Sequence, residues 1–285
     1  MKKFLTLVIA LISITSFAQT ENLVDLPIIK EKYTAHNKGK FFMYWGWNKA
    51  YYSKSDIHFT GKDYDFTIYD VMAHNRPKGI HIDYINPTRI TIPQTNVRIG
   101  YFINDKYSIS LGYEHMKYVM DNHKTVPISG YYPNQNANNF GEYINGNEVH
   151  LTPEFLTFEH TDGLNYINTE ISRVDDISKL FNLPNTDKVQ INFTEGIGGG
   201  VIYPKTNAKI FDKERYDEFH LSGYGLSAKA GLNLTFFKHF FIQGELKGGY
   251  INLNDIRTTY SKADKAEQQF WFIQPMLVFG GIFRL

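Results

Sequence analysis

Residues 270–285 (FWFIQPMLVFGGIFRL) constrain the fold of this chain more than any other stretch. Large apolar side chains share one parity, and small or polar ones such as Gln274, Gly280 and Arg284 occur on the other. Successive side chains of a β-strand point to opposite faces, so this pattern is typical of a strand with lipid on one side and a barrel interior on the other. The apolar parity comprises Trp271, Ile273, Leu277, Phe279, Phe283 and Leu285. We expect the chain to end in a membrane-facing β-strand.

Short polar turns separate further alternating segments upstream. Residues 104–106 (NDK) lie between two of them, and residues 237–239 (FKH) lie between two more. The opposite ends of the same segments lead into long polar stretches. Bacterial outer-membrane barrels have short periplasmic turns and long extracellular loops. The pattern therefore predicts an all-β protein, a transmembrane up-and-down antiparallel β-barrel.

Counting strands by this rule gives eight, with both chain ends on the periplasmic side. They are residues 40–53, 91–103, 107–119, 164–175, 189–203, 220–236, 240–253 and 270–285. Ten strands are the alternative, because residues 57–71 read as a hairpin about Gly61-Lys62-Asp63 and residues 154–160 (EFLTFEH) as a short strand. The extracellular segments are then 54–90, 120–163, 204–219 and 254–269.

Two local irregularities are expected within this layout. Residues 176–188 form the longest periplasmic connection, and we expect a helical turn there. Residues 196–200 (GIGGG) follow Glu195, which shares a parity with Ile191 and Phe193. Glycines in a strand with disturbed alternation favour a β-bulge or a strand end at this position.

The N-terminus predicts export. Lys2 and Lys3 precede an apolar stretch over residues 4–17, and small residues at Ser16 and Ala18 favour cleavage after Ala18. The domain prediction is a signal peptide (1–18), a periplasmic segment (19–39) and an outer-membrane barrel (40–285). The chain contains no cysteine, which excludes a lipoprotein anchor at that cleavage site and any disulfide framework. We predict localisation in the Gram-negative outer membrane.

The composition limits the classes of partner that we expect for this protein. The chain has 20 Tyr, 22 Phe and 3 Trp, which suits the aromatic girdles of membrane barrels. Its 30 basic and 29 acidic residues give no nucleic-acid footprint. The expected partners are outer-membrane lipid and lipopolysaccharide, the barrel assembly machinery during insertion, and other outer-membrane proteins. No cofactor or metal site is indicated, because the histidines lack a recognisable ligand spacing.

Strand parity also places charged residues inside the barrel. An eight-stranded barrel has an interior that side chains fill, so charges there must pair with one another. A packed, ion-paired interior is the favoured interpretation, and a narrow polar path is the alternative. The predicted interior charges are Arg98, Glu114, Glu170, Lys229, Glu245 and Lys247.

One segment carries candidate catalytic residues. Residues 158–170 (FEHTDGLNYINTE) place His160, Asp162 and Glu170 near the extracellular end of a strand. The segment resembles the lipid A deacylase family, in which a nucleophilic serine follows a histidine by two positions. This chain has Asp162 at that position, and Thr161 is the hydroxyl beside the histidine. A carboxylate does not replace a base-activated hydroxyl in acyl transfer, so a polar turn is the alternative interpretation.

Three further motifs carry a resemblance over the whole mature chain. They are MYWGWN at residues 43–48, FEHTDG at 158–163 and KERYDEFH at 213–220. Together they resemble a family of uncharacterised outer-membrane β-barrel proteins of Bacteroidota. The resemblance implies the barrel fold and the outer-membrane location, without catalytic residues. We expect a non-enzymatic protein with a structural or partner-binding role in its extracellular loops. A lipid-modifying hydrolase and a narrow small-solute channel are the alternatives.

Overall fold

The computed structural model describes residues 36–76, 94–132, 147–183, 186–211 and 213–285. Outside these ranges lie the predicted signal peptide (1–18), most of the predicted periplasmic segment (19–35), the start of the second predicted strand (91–93) and residues 133–146. Within the described residues, no helix has the length and apolar character needed to cross a membrane.

The described residues form a single antiparallel sheet of fifteen strands. The first eight are β1 (Phe41–Asn48), β2 (Tyr51–Tyr52), β3 (Ser55–Thr60), β4 (Asp65–Val71), β5 (Ala73–His74), β6 (Thr95–Phe102), β7 (Tyr107–Met120) and β8 (Thr125–Tyr131). The others are β9 (Asn147–His150), β10 (Leu156–Asp176), β11 (Val189–Ile202), β12 (Asn207–Ile210), β13 (Gly223–Phe236), β14 (Phe240–Arg257) and β15 (Lys265–Phe283).

In this part of the chain, eight strands close into a ring. The order is β1-β6-β7-β10-β11-β13-β14-β15, and β15 pairs back onto β1. Following the paired residues once around from Phe41 leads to Tyr51, ten positions further along the chain, because 51 − 41 = 10. Such a stagger tilts the strands by roughly 35–45°. The predicted up-and-down barrel of eight strands is confirmed.

The outward face of this barrel is apolar between two aromatic girdles. Leu226, Leu246 and Ile273 are exposed between them. From Phe283 to Trp271 the strand rises by ~30 Å at this tilt, which matches the apolar band of a membrane barrel with its flanking girdles. The extracellular girdle contains Tyr51, Tyr224, Tyr250 and Trp271, and the periplasmic girdle contains Phe41, Tyr101, Tyr107, Phe240 and Phe283.

Local chemistry accounts for the connections. Asn104 Oδ1 accepts from the backbone N–H groups of Lys106 and Tyr107, which closes the β6–β7 turn. Phe237 and Lys238 both have positive φ, as a two-residue type I′ hairpin turn requires. A 3₁₀ turn at Ser178–Phe181 lies in the connection where a helical turn was predicted.

The predicted irregularity at residues 196–200 is wrong. Strand β11 continues through these residues with an unbroken register against both β10 and β13. A bulge lies instead on β10, where the register shifts between His160 and Leu164. The first predicted strand is interrupted between β1 and β2, opposite Pro275, which has no N–H to donate to the ladder.

The predicted extracellular segments contain more sheet than the sequence indicated. Residues 57–71 form a hairpin as predicted, and β3 pairs with the upper end of β15, outside the eight-stranded ring. Residues 156–160 are the upper end of β10 itself, and residues 156–159 pair with β12. Strands β14 and β15 extend to Arg257 and back from Lys265, so most of segment 254–269 is hairpin.

A second set of pairings joins these extracellular strands to the barrel. Strand β8 pairs with β4 and β9, and β5 pairs with β7. Their inward faces share one hydrophobic core with the upper half of the barrel. The rings of Phe270, Tyr118, Phe158, Phe59 and Phe66 follow one another across it with centroid separations of 5.2, 6.4, 5.6 and 5.1 Å.

Candidate functional site

A layer of six charged side chains crosses the barrel interior. It consists of Arg98, Lys229 and Lys247 with Glu114, Glu170 and Glu245, all buried. Period-two alternation turns each of them inward, since their sequence neighbours Leu246, Ala228 and Ile171 face outward. Three positive and three negative charges make the layer neutral, so no charge there is left uncompensated.

Glu170 on β10 is the centre of this layer. Its carboxylate oxygens lie 3.0 Å from Arg98 Nη2 and 2.8 Å from Lys229 Nζ, and it also contacts Lys247. Lys229 continues the chain of ion pairs to Glu245 at 2.8 Å, and Arg98 reaches Glu114 at 3.0 Å. Each ion therefore has at least one opposite charge within contact distance, as burial requires.

Neutral polar groups complete the hydrogen bonding. Arg98 Nε donates to the Tyr44 hydroxyl at 2.9 Å, and its terminal nitrogens donate to Ser110 Oγ at 3.0 Å and Asn168 Oδ1 at 2.6 Å. Asn168 donates in turn to Glu114 at 3.1 Å. The sequence reasoning missed Tyr44 and Asn168 as members of the layer, although both lie on inward parity of predicted strands.

Glycines make room for the layer. A Cβ on Gly112 would lie 2.3 Å from Arg98 Nη2, and one on Gly198 would lie 2.5 Å from Glu170 Cγ. Gly196 faces Ser172 and Lys229 in the same way. The glycine run that suggested a bulge is therefore a set of positions where larger side chains of neighbouring strands need the space.

A small cavity with a mixed polar and apolar lining lies on the periplasmic side of the layer. The cavity volume is about 50 Å³, and a water needs about 10–15 Å³, so the cavity has room for a few waters. Apolar side chains such as Phe42, Phe102 and Phe241 line it together with amides and hydroxyls. The amides and hydroxyls belong to Gln190, Asn192, Thr194, Asn233, Thr235 and Gln243. On the extracellular side, the layer meets Tyr166, Phe272 and the rest of the aromatic core, all fully buried.

His160 lies inside the extracellular core, above the bulge. It is fully buried, with its ring 5.0 Å from that of Phe158 and 5.7 Å from that of Tyr118. Nδ1 lies 2.9 Å from Thr206 Oγ1, and Nε2 has no hydrogen-bond partner among the described residues. Burial lowers the pKa of His160 to about 3, because desolvation penalises the imidazolium.

The structure does not bring the three candidate catalytic residues together. The Asp162 side chain is 62% exposed on the bulge and pairs with Lys205 at 3.2 Å. Glu170 lies below the bulge in the ion-paired layer, and His160 is enclosed by rings. Thr161 donates to Glu159 at 3.2 Å and is not bonded to the histidine. In the part of the chain that the structure covers, no three His, Asp or Glu side chains are grouped to hold a metal ion.

The fold and its interior define an eight-stranded β-barrel of the outer-membrane type. Similar solved structures include the outer membrane protein OprG from Pseudomonas aeruginosa (9% identity, TM-score 0.38, covering 88% of this chain and 99% of that one). The outer membrane protease OmpT from Escherichia coli is 12% identical with TM-score 0.35, covering 88% and 99%. The attachment invasion locus protein Ail of Yersinia pestis is 13% identical with TM-score 0.28, covering 85% and 99%.

With such identities and TM-scores below 0.5, none of these proteins informs the activity or partners of this chain. No protein-family model and no curated protein matches it. Membership in a Bacteroidota family therefore stays a prediction.

Proposed function

We propose that the protein is an outer-membrane β-barrel that is closed to solutes and presents its extracellular sheet as a rigid surface for a binding partner. The observation that carries this proposal is the shared hydrophobic core, which continues from the upper half of the barrel into the extracellular strands. A core of this kind both fills the lumen and holds the external strands in one arrangement.

The outward face supports a location in the membrane. Exposed residues such as Leu226, Leu246 and Ile273 form an apolar band too large for a protein surrounded by water. The predicted signal peptide and the absence of cysteine agree with export to the outer membrane. Outer-membrane lipid and lipopolysaccharide would surround this band, and the barrel assembly machinery would insert it.

The extracellular surface supports a binding role. Tyr131, Tyr260 and Met72 are large and at least 49% exposed, on strand β8, on the β14–β15 hairpin and beside β5. Exposed aromatic and methionine side chains on a rigid support are enriched at protein–protein interfaces. The partner would then be a macromolecule at the cell surface, such as another outer-membrane protein.

The two alternatives have less support. A channel would need a continuous path, whereas Tyr166, Phe270 and Phe272 close the upper lumen above a fully ion-paired layer. A lipid hydrolase would need His160 at a lipid-accessible cleft beside a hydroxyl nucleophile, and His160 is enclosed by the core.

Planar-bilayer recordings test the closed barrel. The refolded protein is expected to give no conductance steps, with flotation of the same proteoliposomes showing that it has inserted. Reproducible steps from inserted protein would contradict closure. Mass spectrometry of lipid A with and without the protein tests the hydrolase, and a protein-dependent change would replace the binding proposal.

Site-directed photocrosslinking tests the binding surface, because the chain has no native cysteine. Tyr131→Cys and Tyr260→Cys would carry a benzophenone maleimide on intact cells, with lipid-facing Leu226→Cys as the matched control. One discrete, saturable macromolecular adduct from the extracellular positions, absent from the control, is expected. If neither extracellular position gives an adduct, the binding role is wrong.

A further inference from the structure

Three exposed apolar side chains lie just above the extracellular girdle on one side of the barrel. They are Tyr203 (40% exposed), Phe219 (43%) and Leu221 (54%), which we term the rim patch. All three belong to the connection between β11 and β13. Girdle residue Tyr224, itself 46% exposed, lies directly below them.

The rim patch continues the lipid-facing surface upward. Tyr203 is the next outward position of β11 after Val201, which pairs with Tyr224 across the β11–β13 ladder. Leu221 lies just before β13 at a position of inward parity, and its side chain is nevertheless 54% exposed. The apolar face therefore extends past the girdle along β11, from Val201 to Tyr203, while the position above Tyr224 on β13 is the buried Ser222.

The backbone holds the patch in place. The Tyr203 N–H donates to Asn165 O at 2.9 Å, and the Ser222 N–H donates to Ile202 O at 3.0 Å. Lys205 and Phe219 are joined by an antiparallel bridge. The Phe219 ring stacks on the Tyr203 ring with centroids 5.5 Å apart and planes within 13°, so the two rings support each other.

The adjacent β14–β15 side of the barrel is polar at the same level. The outward positions above Tyr250 on β14 are Asn252 and Asn254, and the one above Trp271 on β15 is Gln269. The rim patch therefore distinguishes the β11–β13 side from the adjacent β14–β15 side. Charged neighbours are mutually neutralised, since Lys205 pairs with Asp162 at 3.2 Å and with Asp217 at 3.7 Å. The β11–β13 side is therefore not distinguished by free positive charge that could attract a lipid phosphate.

We propose that the rim patch docks on the outer leaflet, so that the connection from Tyr203 to Leu221 rests on the membrane surface. Aromatic and large aliphatic side chains of this kind are favoured in the interfacial layer, with charged groups turned to water. A lipid surface fits because the patch is continuous with the lipid-facing band. A protein occupant would also have to displace lipid from Tyr224. Docking would fix the orientation of the extracellular sheet relative to the membrane plane.

The inference rests on the proposal that the barrel spans a membrane, and one experiment separates the two. Single-cysteine variants Leu221→Cys, Leu226→Cys and Tyr260→Cys carry a nitroxide label in vesicles of phosphatidylethanolamine and phosphatidylglycerol. Power-saturation EPR then compares collisions with oxygen, which partitions into lipid, and with a water-soluble nickel chelate. Far-UV circular dichroism verifies folding, and Phe219→Cys replaces Leu221→Cys if the latter does not fold.

Leu226→Cys should favour oxygen strongly, Leu221→Cys should favour oxygen at a shallower depth, and Tyr260→Cys should favour the nickel chelate. If Leu221→Cys behaves like Tyr260→Cys while Leu226→Cys is in lipid, the docking inference is overturned and the membrane proposal stands. Shielding of Leu221→Cys from both reagents, with spin–spin broadening that disappears on dilution with unlabelled protein, would identify a second copy instead of lipid. An aqueous signal at Leu226→Cys would overturn both proposals.

Discussion

Replacing Glu170 with glutamine is expected to destabilise the barrel severely. Glutamine keeps the shape of the side chain and removes one negative charge from the interior layer. Arg98, Lys229 and Lys247 would then face only Glu114 and Glu245, leaving one buried positive charge without compensation.

The expected loss of stability follows from the burial of Glu170 and of every cation that it contacts. Glu170 and its three cationic neighbours have side chains that are at most 4% exposed, so water cannot solvate the unpaired charge. Removing one member of a buried ion pair costs about 3–5 kcal/mol. This corresponds to roughly two to four powers of ten in the folded-to-unfolded ratio. Added salt should restore little, because buried pairs are weakly screened.

Glu195→Gln is the matched control on the neighbouring strand. Glu195 faces outward and lies 4.0 Å from Arg173, with both side chains about a third exposed. Breaking an exposed pair of this kind changes stability by about 1 kcal/mol or less. The two substitutions remove the same carboxylate charge at sites that differ in burial and in the number of ionic contacts.

The assay is denaturant unfolding of protein folded into lipid vesicles. Trp45, Trp47 and Trp271 lie on outward positions and report unfolding by fluorescence, and linear extrapolation gives the free energy of unfolding. A double variant, Glu170→Gln with Lys247→Met, should recover part of the loss. It leaves Arg98 with Glu114 and Lys229 with Glu245, so the layer is neutral again. The reasoning is refuted if Glu170→Gln costs no more than Glu195→Gln, or if the double variant is less stable than the single one.

Three further predictions use the same unfolding measurement. Gly112→Ala should cost about 1–3 kcal/mol, since its Cβ would meet the Arg98 guanidinium, whereas Gly244→Ala meets nothing within 4 Å and should be neutral; equal effects would contradict the steric explanation. Gln274→Met should be neutral or stabilising by about 1 kcal/mol, because that buried amide has no partner among the described residues; a clear loss would indicate a bound water. For His160, the folded pKa of about 3 is below the unfolded value of about 6.5. The unfolded chain therefore binds a proton first, and stability falls as pH drops from 6.5 toward 3. His160→Phe should have a flatter profile in this window, and an unchanged slope would disprove the assignment.

Strand parity predicted the membrane half of the barrel well because it depends on local alternation alone. Lys229, Glu245 and Lys247 were placed inward from their own strands, and the structure buries them in one layer. Which charge pairs with which could not be predicted. Glu170 meets Lys229 only because β10 and β13 flank β11, whose glycines leave the space between them open.

The extracellular sheet was largely missed for the opposite reason. Strands β8 and β9 are short, and β9 is mostly polar and exposed, so their sequences resemble loops. What stabilises them is contact between rings far apart in the chain, such as Phe66 with Phe155 at 5.9 Å and Phe155 with Phe211 at 5.6 Å. No window of neighbouring residues contains such a contact. The interpretation of these segments as loops was therefore an expected failure of local pattern reading.

The membrane half and the extracellular half of the barrel are connected by one change along β15, in the character of its outward face. Along β15, apolar Trp271 and Ile273 face outward, whereas above them Glu267 and Gln269 take the outward positions and Ala266 and Phe270 fill the inside. The period of two never breaks; the outward face turns from apolar to polar, while the inward face carries apolar residues on both sides of the girdle, as at Phe272 and Val278. This change is required physically, because the solvent of the outward face changes from lipid to water at the girdle, and the interior must then supply the hydrophobic core. A search for alternation that requires apolar residues on the outward face throughout stops at residue 270. The predicted eighth strand began at that residue. If the outward face is allowed to become polar, the same strand extends to Lys265. The residue at which the outward face changes marks the outer boundary of the membrane along the chain.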